Sequence, residues 1–208
     1  MIAEGCLDGV DEVFGFHNIS VFPAGEVRVI PGPIMANGTN VVIKINGRGG
    51  HGSVPHMVND VISCGAAILN QFHAIKSRMI DSKQNIVFTI THFQSGHTMN
   101  VFPDQAFMEG TIRSYDEGAL KIMKEKIRQI VNFTCESFGC TGVCDITDSY
   151  LSVVNHPYQT ERVIEIASDV LGGKDKVTKE ALPLTAGEDF SYYLRERPGC
   201  FYMLGTRT

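Results

Sequence analysis

The fold of this chain is decided in residues 41–75, which read VVIKINGRGGHGSVPHMVNDVISCGAAILNQFHAI. Val41, Ile43 and Ile45 alternate with other side chains, and a period of two is typical of a half-buried strand. After a glycine-rich turn, apolar residues recur every three or four positions, which predicts an amphipathic helix over about 59–78. The stretch therefore predicts a strand, a loop and a helix in succession.

The same two periods continue along the chain. Residues 85–94 are rich in β-branched side chains and residues 106–113 follow across a turn, so we predict two consecutive strands. A second amphipathic helix and a short strand at 142–147 complete the pattern. The order β-α-β-β-α-β is that of a ferredoxin-like, or split βαβ, domain. We expect this domain to occupy residues 38–149.

Two capping boxes are predicted from spacing alone. Ser114 stands three residues before Glu117, and Thr185 stands three residues before Glu188. In such a box the hydroxyl caps the helix and the acid reaches back to the cap residue. The first pair predicts the start of the second helix, and the other pair the start of the last helix.

The flanks, residues 1–37 and 150–208, are each too short to bury a core of their own. Their apolar patterns predict a strand at 10–19, helices at 157–171 and 188–195, and a strand at 200–204. One α/β domain interrupted by the ferredoxin-like insert explains both flanks. We therefore expect the two flanks to pack together.

Composition excludes several classes of protein. The 208 residues are 43% hydrophobic and 20% charged, which is incompatible with an intrinsically disordered chain. Lys and Arg number 18 against 23 Asp and Glu, so the net charge of −5 disfavours nucleic-acid binding. No apolar run is long enough to span a membrane, and the first residues do not resemble a signal peptide. We expect the target to be a small molecule or another protein.

The six cysteines contain no C-x-x-C pair. Cys135, Cys140 and Cys144 lie close in sequence and suggest either a metal site or a disulfide. The favoured interpretation is reduced thiols on a helix end and the following strand, as in intracellular proteins. On this basis we expect a cytoplasmic protein.

The segment from Gly47 to Gly52 matches the G-x-G-x-x-G pattern of dinucleotide-binding loops. In those loops the helix begins inside the motif, so that its N-terminus binds the pyrophosphate. Here the helical period begins only near Val61, and no acidic residue ends a following strand. A flexible loop with several glycines at positive φ is therefore favoured, and a nucleotide-binding enzyme is the weakest interpretation.

Four polar side chains are candidates for chemistry. His51 and His56 are five residues apart, which is not the spacing of a helical metal pair, so each is first interpreted as a polar loop histidine. His17 follows an apolar run and is expected at or near a strand end, where ligand sites of α/β sheets lie, although a hydrogen-bonded core or rim histidine is the favoured interpretation from the residues alone. Arg113 at a strand end suits bidentate binding of a carboxylate, although a solvated arginine is the alternative.

Seven ordered blocks, taken together, resemble the metal-dependent aminoacylase/carboxypeptidase family of peptidases. The branch with the greatest similarity is the hippurate hydrolase and auxin-conjugate amidohydrolase type. The blocks are Gly15-Phe16-His17-Asn18, Pro31-Gly32-Pro33-Ile34-Met35-Ala36, Gly47 to His51 with Pro55-His56 and Asp60, Asn100-Val101-Phe102-Pro103-Asp104, Gly110-Thr111-Ile112-Arg113, Gly187-Glu188-Asp189-Phe190 and Tyr202-Met203-Leu204-Gly205.

The resemblance implies an architecture and a reaction. A catalytic α/β domain, here residues 1–37 and 150–208, would be interrupted by a ferredoxin-like lid, here 38–149, which also forms a homodimer. Two divalent metal ions would activate the amide bond of an N-acyl amino acid or similar conjugate. Zinc, manganese, cobalt and nickel all remain open.

The resemblance also implies roles for individual residues. His17 corresponds to a metal ligand, and His51 to a histidine that reaches the partner subunit's active site and steadies the oxyanion. Asn100 and Arg113 correspond to lid residues that bind the substrate carboxylate or the oxyanion. Glu188 corresponds to an acidic position near the metals that contacts substrate.

The family pattern is incomplete in this chain. A Cys-Gly-His-Asp motif and a Glu-Glu pair with the general base would precede Met1, and a last metal-binding histidine would follow Thr208. We therefore expect a fragment of a longer enzyme, or a truncated chain that is inactive alone. The alternative is a non-catalytic dimerisation or interaction module that lacks most metal ligands.

Overall fold

The computed structural model describes all 208 residues, which divide into two compact units. Met1–Gly38 and Tyr150–Thr208 form the flank unit, and Thr39–Ser149 form the insert unit. The strands are β1 (Val13–Pro23), β2 (Val27–Arg28), β3 (Gly32–Met35), β4 (Gly38–Asn46), β5 (Gly50–His51), β6 (Ile86–Ser95), β7 (Val101–Phe102), β8 (Gln105–Ser114), β9 (Thr141–Tyr150), β10 (Val153–Asn155), β11 (Val177–Thr178) and β12 (Gly199–Arg207). The α-helices are α1 (Val61–Ala74), α2 (Glu117–Ser137), α3 (Pro157–Leu171) and α4 (Ser191–Glu196).

The insert unit is built on a four-stranded sheet in the order β6-β8-β4-β9. In chain order these are the second, third, first and fourth strands of the sheet. Strand β8 pairs antiparallel with both β4 and β6, with Ile43 opposite Met108. Along the chain, helix α1 lies between β4 and β6, and helix α2 lies between β8 and β9. The predicted β-α-β-β-α-β arrangement is therefore confirmed.

The core of the insert unit explains why the two periods were readable in the sequence. Alternate residues of the central strands and every third or fourth residue of the helices are buried. The largest fully buried side chains in this core are those of Ile43, Ile45, Ile68, Ile75, Met108, Ile112, Met123 and Ile127. One sheet face and two helix stripes thus share a single apolar layer. Helix α1 extends into a π-helical turn at Ile75–Met79.

The starts of the helices differ from the predicted capping box. Asp116 is the cap of α2, because its carboxylate accepts a hydrogen bond from the amide of Ala119 at 2.6 Å. Ser114 is the last residue of β8, and its hydroxyl donates to the carbonyl of Asp116 at 2.9 Å. The prediction that Ser114 caps the helix is therefore wrong, since the chain needs two more residues to turn out of the strand.

The flank unit contains a second sheet in the order β1-β12-β2-β11 and a small β10-β3 pair. Strands β1 and β12 run parallel, so a segment from the start of the chain lies beside one from the end. Asn155 joins the layers: its amide donates to the carbonyls of Phe201 at 2.8 Å and Ile30 at 3.0 Å. Its side-chain oxygen accepts from the amide of Phe201 at 2.7 Å. The two flanks therefore share one core.

The last helix also begins later than the sequence indicates. Helix α4 starts at Ser191, and the side chain of Thr185 does not cap it. The Glu188 carboxylate instead accepts from the amides of Asp189 at 2.9 Å and Phe190 at 3.4 Å. The predicted capping box of Thr185 and Glu188 is wrong, because the Glu188 carboxylate binds the amides of the two residues that directly follow it. None of the helices combines the length and hydropathy needed to cross a membrane.

Candidate functional site

In the insert unit, His51 and Asn100 are brought together by a short antiparallel ribbon of β5 and β7. His51 is paired with Val101, and the amide of Gly52 donates to the carbonyl of Asn100 at 2.8 Å. Both His51 and Asn100 are exposed. Two residues that stand far apart in sequence thus present polar groups from one small element, which we call the β5–β7 ribbon.

The glycines of this region act by size. None of the glycines between Gly47 and Gly52 has a positive φ, so that expectation is wrong. A Cβ added to Gly47 would lie 2.3 Å from the carbonyl oxygen of Asn59, and one added to Gly49 would lie 2.3 Å from that of Phe102. Backbone segments approach each other here more closely than any side chain allows.

The same geometry disfavours the dinucleotide interpretation. Helix α1 begins at Val61, outside the glycine motif. The amides of its first turn are already used, because the Asp60 carboxylate accepts from Ile62 at 2.9 Å and from Ser63 at 3.1 Å. The motif therefore contains no free helix N-terminus for a pyrophosphate.

Asp104 fastens the glycine-rich loop to the base of the ribbon. Its Oδ1 accepts from the amide of Gly49 at 2.7 Å, and its carbonyl accepts from the amide of Gly47 at 2.8 Å. Sequence analysis quoted Asp104 only as a member of a motif and missed this role. An acid between two predicted strands carries no signal for a partner more than fifty residues away.

The His51 ring is held by its near neighbour Ser53. Nδ1 of His51 lies 2.7 Å from the Ser53 hydroxyl oxygen and accepts from the Ser53 amide at 3.2 Å. Both contacts use the same ring nitrogen. Ser53 was not among the predicted site residues, although a serine two residues after a histidine has the spacing that such a local bond requires.

Arg113 belongs to the same unit as the β5–β7 ribbon but is not part of that ribbon. It is half-buried on β8 opposite Val87, and its guanidinium donates to the carbonyl of Ile112 at 3.1 Å. Gln105, at the ribbon end of β8, is eight residues away, or about 27 Å along a strand. The structure therefore places Arg113 at the opposite end of β8 from the separate ribbon that carries His51 and Asn100.

His17 lies inside β1 of the flank unit, opposite Met203, and is exposed. The prediction that it stands near a strand end is wrong, because β1 continues to Pro23. Its Nδ1 lies 3.0 Å from the carbonyl oxygen of Asn18. Since a carbonyl only accepts, Nδ1 carries a proton, and in the neutral ring Nε2 then has the lone pair. Metal-binding histidines commonly have this arrangement.

Glu188 also belongs to the flank unit and is half-buried. Burial raises the pKa of Glu188 above its ordinary value, and a hydrogen bond with the Asp189 side chain raises it further, while amide hydrogen bonds oppose both. The chain contains no group of three or more His, Cys, Asp or Glu side chains placed to hold a metal ion. His17 is therefore not part of such a group.

Three buried thiols lie together in the core of the insert unit. Cys64 and Cys135 approach to 3.8 Å between sulfur atoms, and all six cysteines are free. Burial raises the pKa of Cys64 to about 12 and that of Cys140 to about 11. Thiols with such values are poor nucleophiles at neutral pH, so we assign them to packing.

An apolar groove of about 400 Å³ lies in the flank unit between β1 and α3. Its walls include Phe14, Phe16 and Ile166, and its one charged lining residue is Arg162. Arg162 forms an ion pair with Glu12. The groove therefore brings apolar surface and no catalytic group.

The insert unit is similar to a known family of domains. Residues 37–138 match the family model described as a peptidase dimerisation domain. This part of the chain is similar to the dimerisation domain of M20 peptidases. The match extends over nearly the whole ferredoxin-like unit, including the β5–β7 ribbon, Arg113 and both of its helices. The matched region therefore includes His51, Asn100 and Arg113, and His17 and Glu188 lie outside it.

Relatives extend the similarity beyond the dimerisation domain. The chain is 39% identical over its full length to thermostable carboxypeptidase 1 of Saccharolobus solfataricus and covers 52% of that protein. It is 34% identical over 99% of its length to N-acetylcysteine deacetylase of Bacillus subtilis and covers 53% of that protein. The chain thus spans about half the length of the curated relatives it matches.

A solved structure shares the fold of both units. The dinuclear metal-binding peptidase YXEP of the M20 family from Bacillus subtilis aligns over 99% of this chain and 51% of its own. The TM-score is 0.77 and the sequence identity is 28%. The flanks as well as the dimerisation domain therefore have counterparts in a metal-binding M20 protein.

Proposed function

We propose that this chain forms part of a metal-dependent amidohydrolase that cleaves the amide bond of an N-acyl amino acid or a similar conjugate. The observation that carries the proposal is that the β5–β7 ribbon holds the exposed residues His51 and Asn100 near each other, in a region that matches a peptidase dimerisation domain. Relatives named carboxypeptidase and deacetylase both break amide bonds, which supports the reaction class. We also propose that the enzyme belongs to the hippurate hydrolase branch, because the seven sequence blocks resemble that branch.

The metal site is proposed around His17. Its Nε2 lone pair is the donor that a divalent ion requires, and His17 supplies one of the several ligands that such an ion needs. When bound, two divalent ions supply Lewis-acid activation of the amide carbonyl and of the attacking water. The identity of the metal stays open among zinc, manganese, cobalt and nickel.

The other candidate residues handle the substrate. His51 and Asn100 donate hydrogen bonds to the oxyanion that develops on the amide carbonyl, a contribution of roughly 3 kcal/mol in acyl-transfer sites. Arg113 binds the substrate carboxylate through its planar guanidinium. Glu188 contacts substrate near the metals, and its raised pKa lets the carboxyl group donate a hydrogen bond up to a higher pH than an ordinary glutamate would.

We further propose a homodimer formed through the dimerisation domain. Arg113 stands near Thr39, where the chain enters the insert unit, because Thr39 pairs with Ile112. His51 and Asn100 belong to the separate β5–β7 ribbon, which lies beyond the other end of β8, where Asp104 binds Gly47 and Gly49. This separation favours a dimer in which each subunit binds its own substrate through Arg113 and offers His51 and Asn100 to its partner.

The test is metal-dependent hydrolysis by the enzyme that contains this chain. Release of the amino acid from N-acetyl and N-benzoyl amino acids is measured with added Mn²⁺ or Zn²⁺, and again after chelation. We expect activity that chelation removes and metal restores, and that His17→Ala abolishes with loss of bound metal. Activity that persists after chelation would overturn the proposal.

A second candidate is a non-catalytic dimerisation module. It is favoured by the lack of a complete metal-ligand group in this chain. Solution mass and metal content of the 208-residue chain distinguish the two functions. A metal-free dimer with no hydrolytic activity when mixed with the other half of the enzyme supports the module, and recovery of activity on mixing excludes it.

A further inference from the structure

The two candidate histidines use Nδ1 in opposite ways. His17 Nδ1 faces the carbonyl oxygen of Asn18 at 3.0 Å, and a carbonyl can only accept. His51 Nδ1 faces the amide of Ser53 at 3.2 Å, and a backbone amide can only donate. A neutral imidazole has one donor nitrogen and one acceptor nitrogen. The hydrogen bonds therefore require a proton on Nδ1 of His17 and a lone pair on Nδ1 of His51.

The Ser53 hydroxyl decides between two arrangements. Its oxygen lies 2.7 Å from His51 Nδ1, and a hydroxyl can donate or accept. If it accepted a proton from Nδ1, the Ser53 amide would point at a second donor across 3.2 Å. If it donates, both Ser53 groups share the Nδ1 lone pair without conflict. The second arrangement satisfies every group.

We propose that Ser53 is a positioning residue that fixes neutral His51 as the tautomer with its proton on Nε2. The inference deepens the proposed function and rests on it for the use of that proton, which is donation to the oxyanion. His51 is exposed, so burial does not select the tautomer, and the local bonds to Ser53 do so. The other tautomer would present a lone pair to a negatively charged oxygen.

The opposite tautomers suit opposite tasks. His17 keeps Nε2 free of hydrogen, as a metal ligand must, and His51 keeps Nε2 protonated, as an oxyanion donor must. Each is set by a neighbour within two residues, Asn18 in one case and Ser53 in the other. Because the bonds are local, they form in the isolated chain and do not need metal or substrate.

The test is long-range proton–nitrogen NMR on the 208-residue chain labelled with ¹⁵N-histidine. Spectra are recorded above the titration range of histidine, at about pH 8. The His51→Gln and His17→Gln variants assign the two signals. We expect the proton of His51 on Nε2 and that of His17 on Nδ1, so that His17 serves as an internal reference of the opposite kind. A proton on Nδ1 of His51 would overturn the inference.

The Ser53→Ala variant tests the part played by the serine. It keeps the amide and removes the hydroxyl donor, so we expect the His51 Nδ1 resonance to shift toward that of a protonated nitrogen. Ser53→Thr should restore the original position. An unchanged resonance, or a shift in the other direction, would refute the role of Ser53. Circular dichroism confirms that each variant is folded.

These readouts separate the inference from the proposed function. The tautomer is measured without metal, substrate or turnover. If His51→Ala leaves kcat unchanged in the active enzyme, the oxyanion role fails and the tautomer result still stands. If His51 proves to carry its proton on Nδ1, the inference fails although hydrolysis can still be metal-dependent.

Discussion

The amide of Gly52 donates to the carbonyl of Asn100 at 2.8 Å, and this bond joins the loop that carries His51 to the strand that follows Asn100. A hydrogen bond between backbone groups therefore holds together the two segments that carry His51 and Asn100. The distance between these two residues is not set by flexible side chains alone. Preorganisation of this kind lets donors stabilise a developing charge without first rearranging. Changes that separate the two backbones should weaken both residues together.

Gly49→Ala should disrupt the β5–β7 ribbon. The new Cβ would lie 2.3 Å from the carbonyl oxygen of Phe102, so the strands must move apart. We expect a loss of about 1–3 kcal/mol in the free energy of unfolding, as for other overpacked sites. Urea unfolding measures this loss, and hydrogen exchange at the Gly52 amide reports the opening of the ribbon.

Gly52→Ala is the matched control in the same loop. Its nearest contact would be the carbonyl oxygen of Asn100 at 3.3 Å, which a small adjustment relieves. We expect a change within about 0.5 kcal/mol. Equal effects of the two substitutions would contradict the close-approach explanation for Gly49.

Asp104→Ala should loosen the glycine-rich loop. The substitution removes the acceptor that binds the Gly49 amide at 2.7 Å. A hydrogen bond to a charged acceptor contributes about 1.5–3 kcal/mol, and the exposure of Asp104 places the expected loss at the lower end. Asp104→Asn keeps an oxygen acceptor and should cost less. If the two variants have the same unfolding free energy, the carboxylate does not anchor the loop.

The ferredoxin-like order was predictable because it depends on local periods. Ile43 and Met108 face each other in the core, and each lies in a run whose alternation marks a buried face. The lengths of α1 and α2 follow from apolar stripes in the same way. Such signals need no knowledge of which strand pairs with which.

Other features depend on contacts that sequence does not display. The glycines near His51 look like positive-φ positions, and only the backbone of Phe102 and Asn59 shows that they are needed for close approach. Asp116 replaces Ser114 as a helix cap because the turn after β8 is longer than the motif assumes. The separation of Arg113 from His51 follows from strand register, which periodicity cannot supply.

Acid should destabilise the insert unit through Asp148. Burial raises the pKa of Asp148, but hydrogen bonds from Lys124 at 2.6 Å and Thr39 at 2.5 Å lower it more, so the net pKa is below the ordinary 3.8. A carboxylate whose folded pKa is depressed stabilises the fold above its unfolded pKa, and this stability is lost as pH falls through the folded value. We expect the unfolding free energy to fall below about pH 4.

Asp148→Asn isolates this contribution. The amide does not titrate, so the variant should be less stable than wild type at pH 7 and should converge with it as the pH falls below 3.8. Urea unfolding of both proteins across the acid range measures the difference. A constant difference at all pH values would show that the charge of Asp148 does not stabilise the unit.

A mixture of two inactive dimers should regain activity if the His51 and the Arg113 of one subunit serve different active sites of the dimer. In the proposed dimer, a His51→Ala subunit lacks the donor for its partner's site, and an Arg113→Met subunit lacks the carboxylate ligand of its own site. A mixed dimer then has one intact site, made from the Arg113 of the first subunit and the His51 of the second.

With random exchange, half of the dimers are mixed and one of two sites in each is intact, so about a quarter of wild-type activity should return. The measurement is hydrolysis after the variants are unfolded and refolded together, compared with each variant refolded alone. If each active site used the His51 and the Arg113 of the same subunit, every site in the mixture would lack one of them. No recovery from well-folded mixed dimers would therefore show that each site uses the His51 and the Arg113 of one subunit. It would contradict the division inferred from the position of Arg113, which lies eight residues, or about 27 Å, along β8 from Gln105 at the ribbon end of that strand.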